Sequence, residues 1–157
     1  MSRLLAAVAV VAGLGGPSAA DAASPSVNYV LHCQGCHLAD GTGTPGSGVP
    51  PLAGSVGRFA GVPEGRAYLV RVPGVAQAPL GDAELAELLT WTLRHFSAAE
   101  LPADFVPFTA DEMSVGRRTP LTDVEGTRRN VLEQLRRTAA ERSAAPSARR
   151  NTEHAAP

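Results

Sequence analysis

Lysine is absent from this chain of 157 residues, so all 14 of its basic side chains are guanidinium groups. Net charge is nearly absent as well, at -1, which excludes a strongly basic nucleic-acid binder and a strongly acidic tail protein. Large aromatic side chains are scarce: four Phe, two Tyr and one Trp. A small domain made from them is short of apolar bulk for its core. Cysteine is confined to Cys33 and Cys36. A structural zinc site takes four ligands, and His32, His95 and His154 show no ligand-pair spacing that would complete one. The longest apolar run, from Leu4 to Leu14, is shorter than the roughly 20 residues that span a bilayer.

What the chain does have is Cys33-Gln34-Gly35-Cys36-His37. Two cysteines three apart, followed at once by histidine, form the signature for covalent attachment of a c-type haem. Residues three apart on a helical turn point to the same side, so both thiols can add to the vinyl groups along one porphyrin edge. His37 then falls beneath the ring, where an imidazole nitrogen can bind the iron. A bare C-x-x-C also suits a thioredoxin-like redox pair, but such a motif follows a strand, and the residues before Cys33 lack a strand's alternation. One covalently attached haem c would also supply the bulk that the aromatic count leaves missing.

The N-terminus carries Arg3, the apolar run, Gly-Gly-Pro and then Ala20-Asp21-Ala22, the pattern of a secretory signal peptide over residues 1–22. Export to the periplasm fits the haem reading, because c-type haem is attached outside the cytoplasm. Residues 23–115 are expected to form the haem domain, 116–142 a basic helical extension and 143–157 a disordered tail. Charge divides along the same lines. Residues 23–115 hold four Arg against nine acids, whereas 116–157 hold nine Arg against five.

Helical spacing predicts a first helix from Ser26 to Cys36, capped by Ser26 and turning Val27, Tyr29, Val30 and Cys33 inward, with His32 solvated. A short helix is expected around Glu64 to Val72, ending at Pro73-Gly74. The clearest helix runs from Asp82, its expected cap, to Phe96. Thr109 to Glu112 is a capping pattern leading to Met113, a core-filling residue on a short helix. A capping box at Thr122 to Glu125 opens a last helix reaching about Arg142, whose thin apolar stripe of Val124, Val131, Leu132 and Leu135 can pack on the domain or on a partner.

The series Cys33 to Gly43, then Val49-Pro50-Pro51-Leu52-Ala53-Gly54, then Gly57-Arg58, resembles the class I c-type cytochromes. The resemblance covers Val27 to Phe96 and implies an all-α fold, a small helical domain around one haem. It implies that the carbonyl of Pro50, or of Pro51, accepts from the second ring nitrogen of the haem-binding histidine. It also implies that Leu52 packs on the haem face, that Arg58 sits near a propionate, and that the helix from Asp82 crosses the first helix with Trp91 or Leu88 near Tyr29. The family's distal methionine has no counterpart in the loop Pro73 to Leu80. Gln77 by position, an open or water-filled site, and Met113 are the alternatives for the sixth iron position. His95, on the long helix beside Arg94, is expected at or near the surface.

The function implied is an exported single-haem electron carrier rather than an enzyme, exchanging one electron with a periplasmic partner, a dehydrogenase or a terminal acceptor. Nucleic acid is not a partner, and no stable membrane insertion is expected after signal cleavage. A second reading, drawn from the missing methionine, is a small-ligand binder or peroxidase-like protein with an open sixth site, to which Arg71 or Gln77 could contribute. A third is a haem subunit docked in a larger redox complex through the C-terminal helix.

Overall fold

The computed structural model describes residues 23–153, with side chains as far as residue 144. The expected signal peptide and His154 lie outside the described residues. Seven α-helices and two 3-10 turns account for the regular structure, with no strand among the described residues, in agreement with the all-α expectation.

Helix α1 spans Pro25–His32 and is capped by Ser24 rather than Ser26. The reason is Pro25: its fixed φ suits the first helical position, and its missing N–H costs nothing there. The backbone of Cys33 (φ -122°, ψ -37°) breaks the helix, and α2 resumes it over Gln34–His37, so the motif rides on two short helical pieces. Helix α3 covers Pro63–Arg71, and Val72 adopts an extended backbone before Pro73, as sterics against the proline ring require. One further turn, α4, follows over Pro73–Ala76, where the sequence suggested only loop.

Helix α5 spans Asp82–Ser97. Gly81, not Asp82, is its cap, and Glu84 Oε2 accepts the Gly81 N–H at 3.2 Å. Asp82 is thereby free to pair with Arg117 at 2.8 Å. Helix α6, Ala110–Gly116, carries the expected Thr109–Glu112 capping box. Helix α7 begins at Val124 and continues to Glu153, beyond the expected end near Arg142. The capping acceptor for α7 is Asp123, whose Oδ1 takes the Gly126 N–H at 2.8 Å.

The long helix α5 is the centre of the packing, with α1 and α6 against it and the 3-10 turn Val56–Gly61 wedged beside it. Leu85, Leu93 and Met113 are fully buried there. Tyr29 of α1 meets Trp91 of α5 with ring centroids 5.6 Å apart, the expected crossing. Helix α7 packs on α3 and on the 3-10 turn. Its stripe therefore serves this domain: Val131 is buried, and Leu132 and Leu135 pack partly buried against the core.

Arg66 ties α3 to α6. It pairs with both carboxylate oxygens of Glu112, donates to the Val106 and Pro107 carbonyls at 2.8 and 3.0 Å, and lies 4.0 Å from the Phe108 ring centroid. Arg66→Ala should lower the stability of the haem-loaded protein by about 2–3 kcal/mol in a denaturant titration, since charge-assisted bonds are the strong ones. A loss under about 0.5 kcal/mol would show the pair to be idle. The hydrogen bond from Arg66 holds the Glu112 carboxyl below its ordinary range. Its contribution is therefore complete above the unfolded value, about 4.3, and disappears as pH falls through the lower folded value.

Candidate cofactor site

A glycine-rich loop folds back over the cysteine motif and fixes its surroundings. Leu38, with φ of 60°, turns the chain out of α2, and the Tyr29 hydroxyl donates to its carbonyl at 2.7 Å. Gly43, with φ of +77°, donates its N–H to the His37 carbonyl at 3.1 Å. A side chain here would meet the Val49 carbonyl oxygen at 2.6 Å and that of Pro50 at 3.2 Å, so only glycine lets the loop come this close. The Thr44 hydroxyl donates to the Cys36 carbonyl at 2.8 Å. Gly41 accepts from the Leu52 and Ala53 amides, which closes the loop.

Behind this loop lies a cavity of about 410 Å³. Cys33, Cys36, His37, Pro50 and Leu52 contribute one part of its wall, and Phe59, Leu85, Leu88 and Leu89 from the 3-10 turn and α5 extend it. Tyr68, Leu69 and Val72 through Val75 come from the α3–α4 region, and Val124 and Arg128 from α7. The wall is predominantly apolar, as expected of a site that encloses an organic cofactor.

Three polar groups on it are unusual. His37 Nδ1 is buried without a hydrogen bond. Burial pushes the imidazole below its ordinary range, and the Pro50 carbonyl acts in the opposite direction. That carbonyl is thus close enough to favour the protonated ring while falling short of hydrogen-bond geometry. The Pro51 carbonyl is already taken by the Ser55 hydroxyl, which leaves Pro50 as the proline facing His37. The Tyr68 hydroxyl, on a buried residue, has no hydrogen-bond partner among the described residues, and burial pushes it up while Arg128 pulls it down. Arg128 is half-buried, 5.9 Å from the Phe59 ring centroid, and likewise has no hydrogen bond or ion pair among the described residues.

The surroundings of the thiols do not favour a reactive thiolate. Both cysteines are free, and burial, followed by the charge of Cys36, pushes the Cys33 thiol up to about 11. A C-x-x-C nucleophile needs the opposite shift. Among the described residues, no group of three or more His, Cys, Asp or Glu could hold a metal ion. The unpartnered imidazole, the paired thiols and the apolar volume suit a flat macrocycle, and the unpaired donors suit its carboxylates.

Other expectations fare differently. Arg58 is exposed, donates to the Gly54 carbonyl at 2.9 Å and does not line the cavity; Arg128, far along the chain, is the cavity's cation. His32, expected to be solvated, is half-buried and lines the cavity, because the helix breaks just after it. Gln77 is exposed and Met113 fully buried in the core, and neither lines the cavity. Arg71 is taken by the Thr119 carbonyl at 2.8 Å. His95 is exposed and stacks on Trp91 with centroids 4.4 Å apart. Tyr68 and Arg128 escape sequence reasoning; the available signal was that Val124 and Arg128, four apart, share a helix face.

No family model matches the chain. It is 32% identical over 140 residues to a cytochrome c-552 of Thermus thermophilus, covering 78% of this chain and 90% of that protein. A second cytochrome c-552 of the same species is 34% identical over 108 residues, covering 57% of this chain and 82% of its own length. With the thiols, the imidazole and the enclosing cavity all placed, this similarity makes the chain a member of the class I c-type cytochromes, electron carriers with one covalently attached haem c.

Proposed function

We propose that the protein works in the periplasm, after cleavage near Ala22, and passes single electrons between a dehydrogenase and a terminal acceptor. The observation that carries this reading is the meeting of Cys33, Cys36 and the unpartnered His37 imidazole in one apolar cavity. Cys33 and Cys36 would hold the group covalently. His37 would bind the iron through Nε2, with the Pro50 carbonyl steadying Nδ1. Leu52 would pack on the ring. When bound, haem supplies the one-electron Fe(III)/Fe(II) exchange.

Arg128 and Tyr68, two unpartnered donors on one stretch of wall, would hold a propionate. Arg58 is left to the surface. Among the described residues no helix is long and apolar enough to cross a membrane. The acidic haem domain and basic extension would steer a charged partner, at a rate that declines with salt.

Potentiometry tests this reading. The haem-loaded protein should titrate as a single one-electron couple with a midpoint nearly flat from about pH 6 to 8, because an arginine-paired propionate stays ionised there. In Arg128→Gln the propionate should titrate within that window, so the midpoint becomes pH-dependent, while Arg58→Gln should not change the profile. A two-electron couple would dispose of the carrier reading, and identical profiles for the two variants would dispose of the Arg128 role.

A further inference from the structure

The cavity wall has one conspicuous deficiency on the α3–α4 side. From Val72 to Ala78 it is lined by Val72, Pro73, Gly74, Val75 and Ala78, none of which has a side chain able to bind a metal. Gln77 points elsewhere, and the carbonyls on either side of it are both held by Arg117, Ala76 at 3.0 Å and Ala78 at 2.6 Å. The same guanidinium takes the Leu80 carbonyl at 2.8 Å and Asp82 at 2.8 Å. The segment is thus ordered by an arginine and needs no bond to a metal to hold its shape. Met113 is enclosed in the core. The imidazoles on the wall among the described residues are His37 and His32. His32 directly precedes Cys33, which ties it to the edge where the thiols attach.

We infer that this chain leaves the sixth position of its haem iron to an outside ligand, and that the pocket against α4 is a site for a small neutral diatomic molecule of the CO or NO type. The inference rests on the haem reading of the site. Its ligand class follows from the wall: valine, proline, glycine and alanine offer no partner to an ion, which would lose its hydration on entry. A neutral diatomic gives up little water and fits beside small apolar side chains. The cavity's one cation, Arg128, comes from α7 and not from this stretch.

The experiment uses the full haem-loaded protein. An alkaline pyridine spectrum replaces whatever axial ligands are present and so counts attached haem independently of native ligation; failure there would fault the haem reading alone. With haem content confirmed, the reduced protein is mixed rapidly with CO. The expected result is a complete Soret shift at a rate proportional to CO concentration. A spectrum unmoved by CO overturns the inference, and so does a rate that saturates with CO, because an internal ligand would then have to leave first. If CO reacts only in His32→Ala, His32 is that ligand and the inference falls. Val75→Phe, at unchanged haem content, should slow CO association about tenfold, because the larger ring occupies space on the α4 wall that the molecule must cross. An unchanged rate would remove the site from the α4 wall.

Discussion

With Cys33→Ala and Cys36→Ala together, the protein should lose most of its far-UV helical signal at room temperature and show no cooperative melting transition. Without thiols no haem is attached, and the space it would fill is about 410 Å³ with mostly apolar lining. An unfilled enclosed apolar cavity costs about 24 cal/mol per Å³, which sets an upper bound of about 10 kcal/mol for this partly open one. Domains of this size are stable by about 5–15 kcal/mol. Water is a poor substitute, because it needs two to four polar partners, and the wall offers few. Calorimetry alongside circular dichroism decides the matter: a double variant with full helix content and a sharp melt would show that the fold stands without its cofactor.

Arg117→Ala should destabilise the haem-loaded protein by about 2–4 kcal/mol, since it breaks a part-buried cluster of charge-assisted hydrogen bonds. The side chain is only 23% exposed, and its removal leaves the Ala76, Ala78 and Leu80 carbonyls and Asp82 without their donor. Each abandoned carbonyl that stays buried costs on the order of 1–3 kcal/mol, and those that regain water cost less. Arg117→Lys should recover under half of the loss, because an ammonium is a single point and cannot match a planar fork that reaches three carbonyls and a carboxylate. A denaturant midpoint within 1 kcal/mol of the parent protein would contradict this account, as would full rescue by lysine.

The parts of the site that sequence disclosed are those written in local spacing. Cys33, Cys36 and His37 occupy five successive positions, and Pro50 and Leu52 follow within one loop, so the motif and its partners can be read together. Helix α5 was legible from its apolar period, and α6 from the Thr109–Glu112 capping pattern that marks its start. The other part of the site is made by contacts between segments distant in the chain. The resemblance placed Arg58 near a propionate, whereas the cation lining the cavity is Arg128, on α7. Nothing local distinguishes Arg128 from Arg129, whose nearest acid is Glu125 at 3.9 Å on the exposed surface; only docking on α3 and the 3-10 turn separates them. Gln77, one of three alternatives for the sixth iron position, is exposed and does not line the cavity. Its position pointed to the iron, but the backbone direction of the loop is set by Arg117, 40 residues later in the chain.

The place of α7 also fixes an order of events. In a chain made from its N-terminus, Cys33 to His37 are complete before Val124 and Arg128 exist. For that interval the thiols are exposed and the last panel of their enclosure does not yet exist. Haem attached in that interval would enter an open cradle, which α7 would close afterwards.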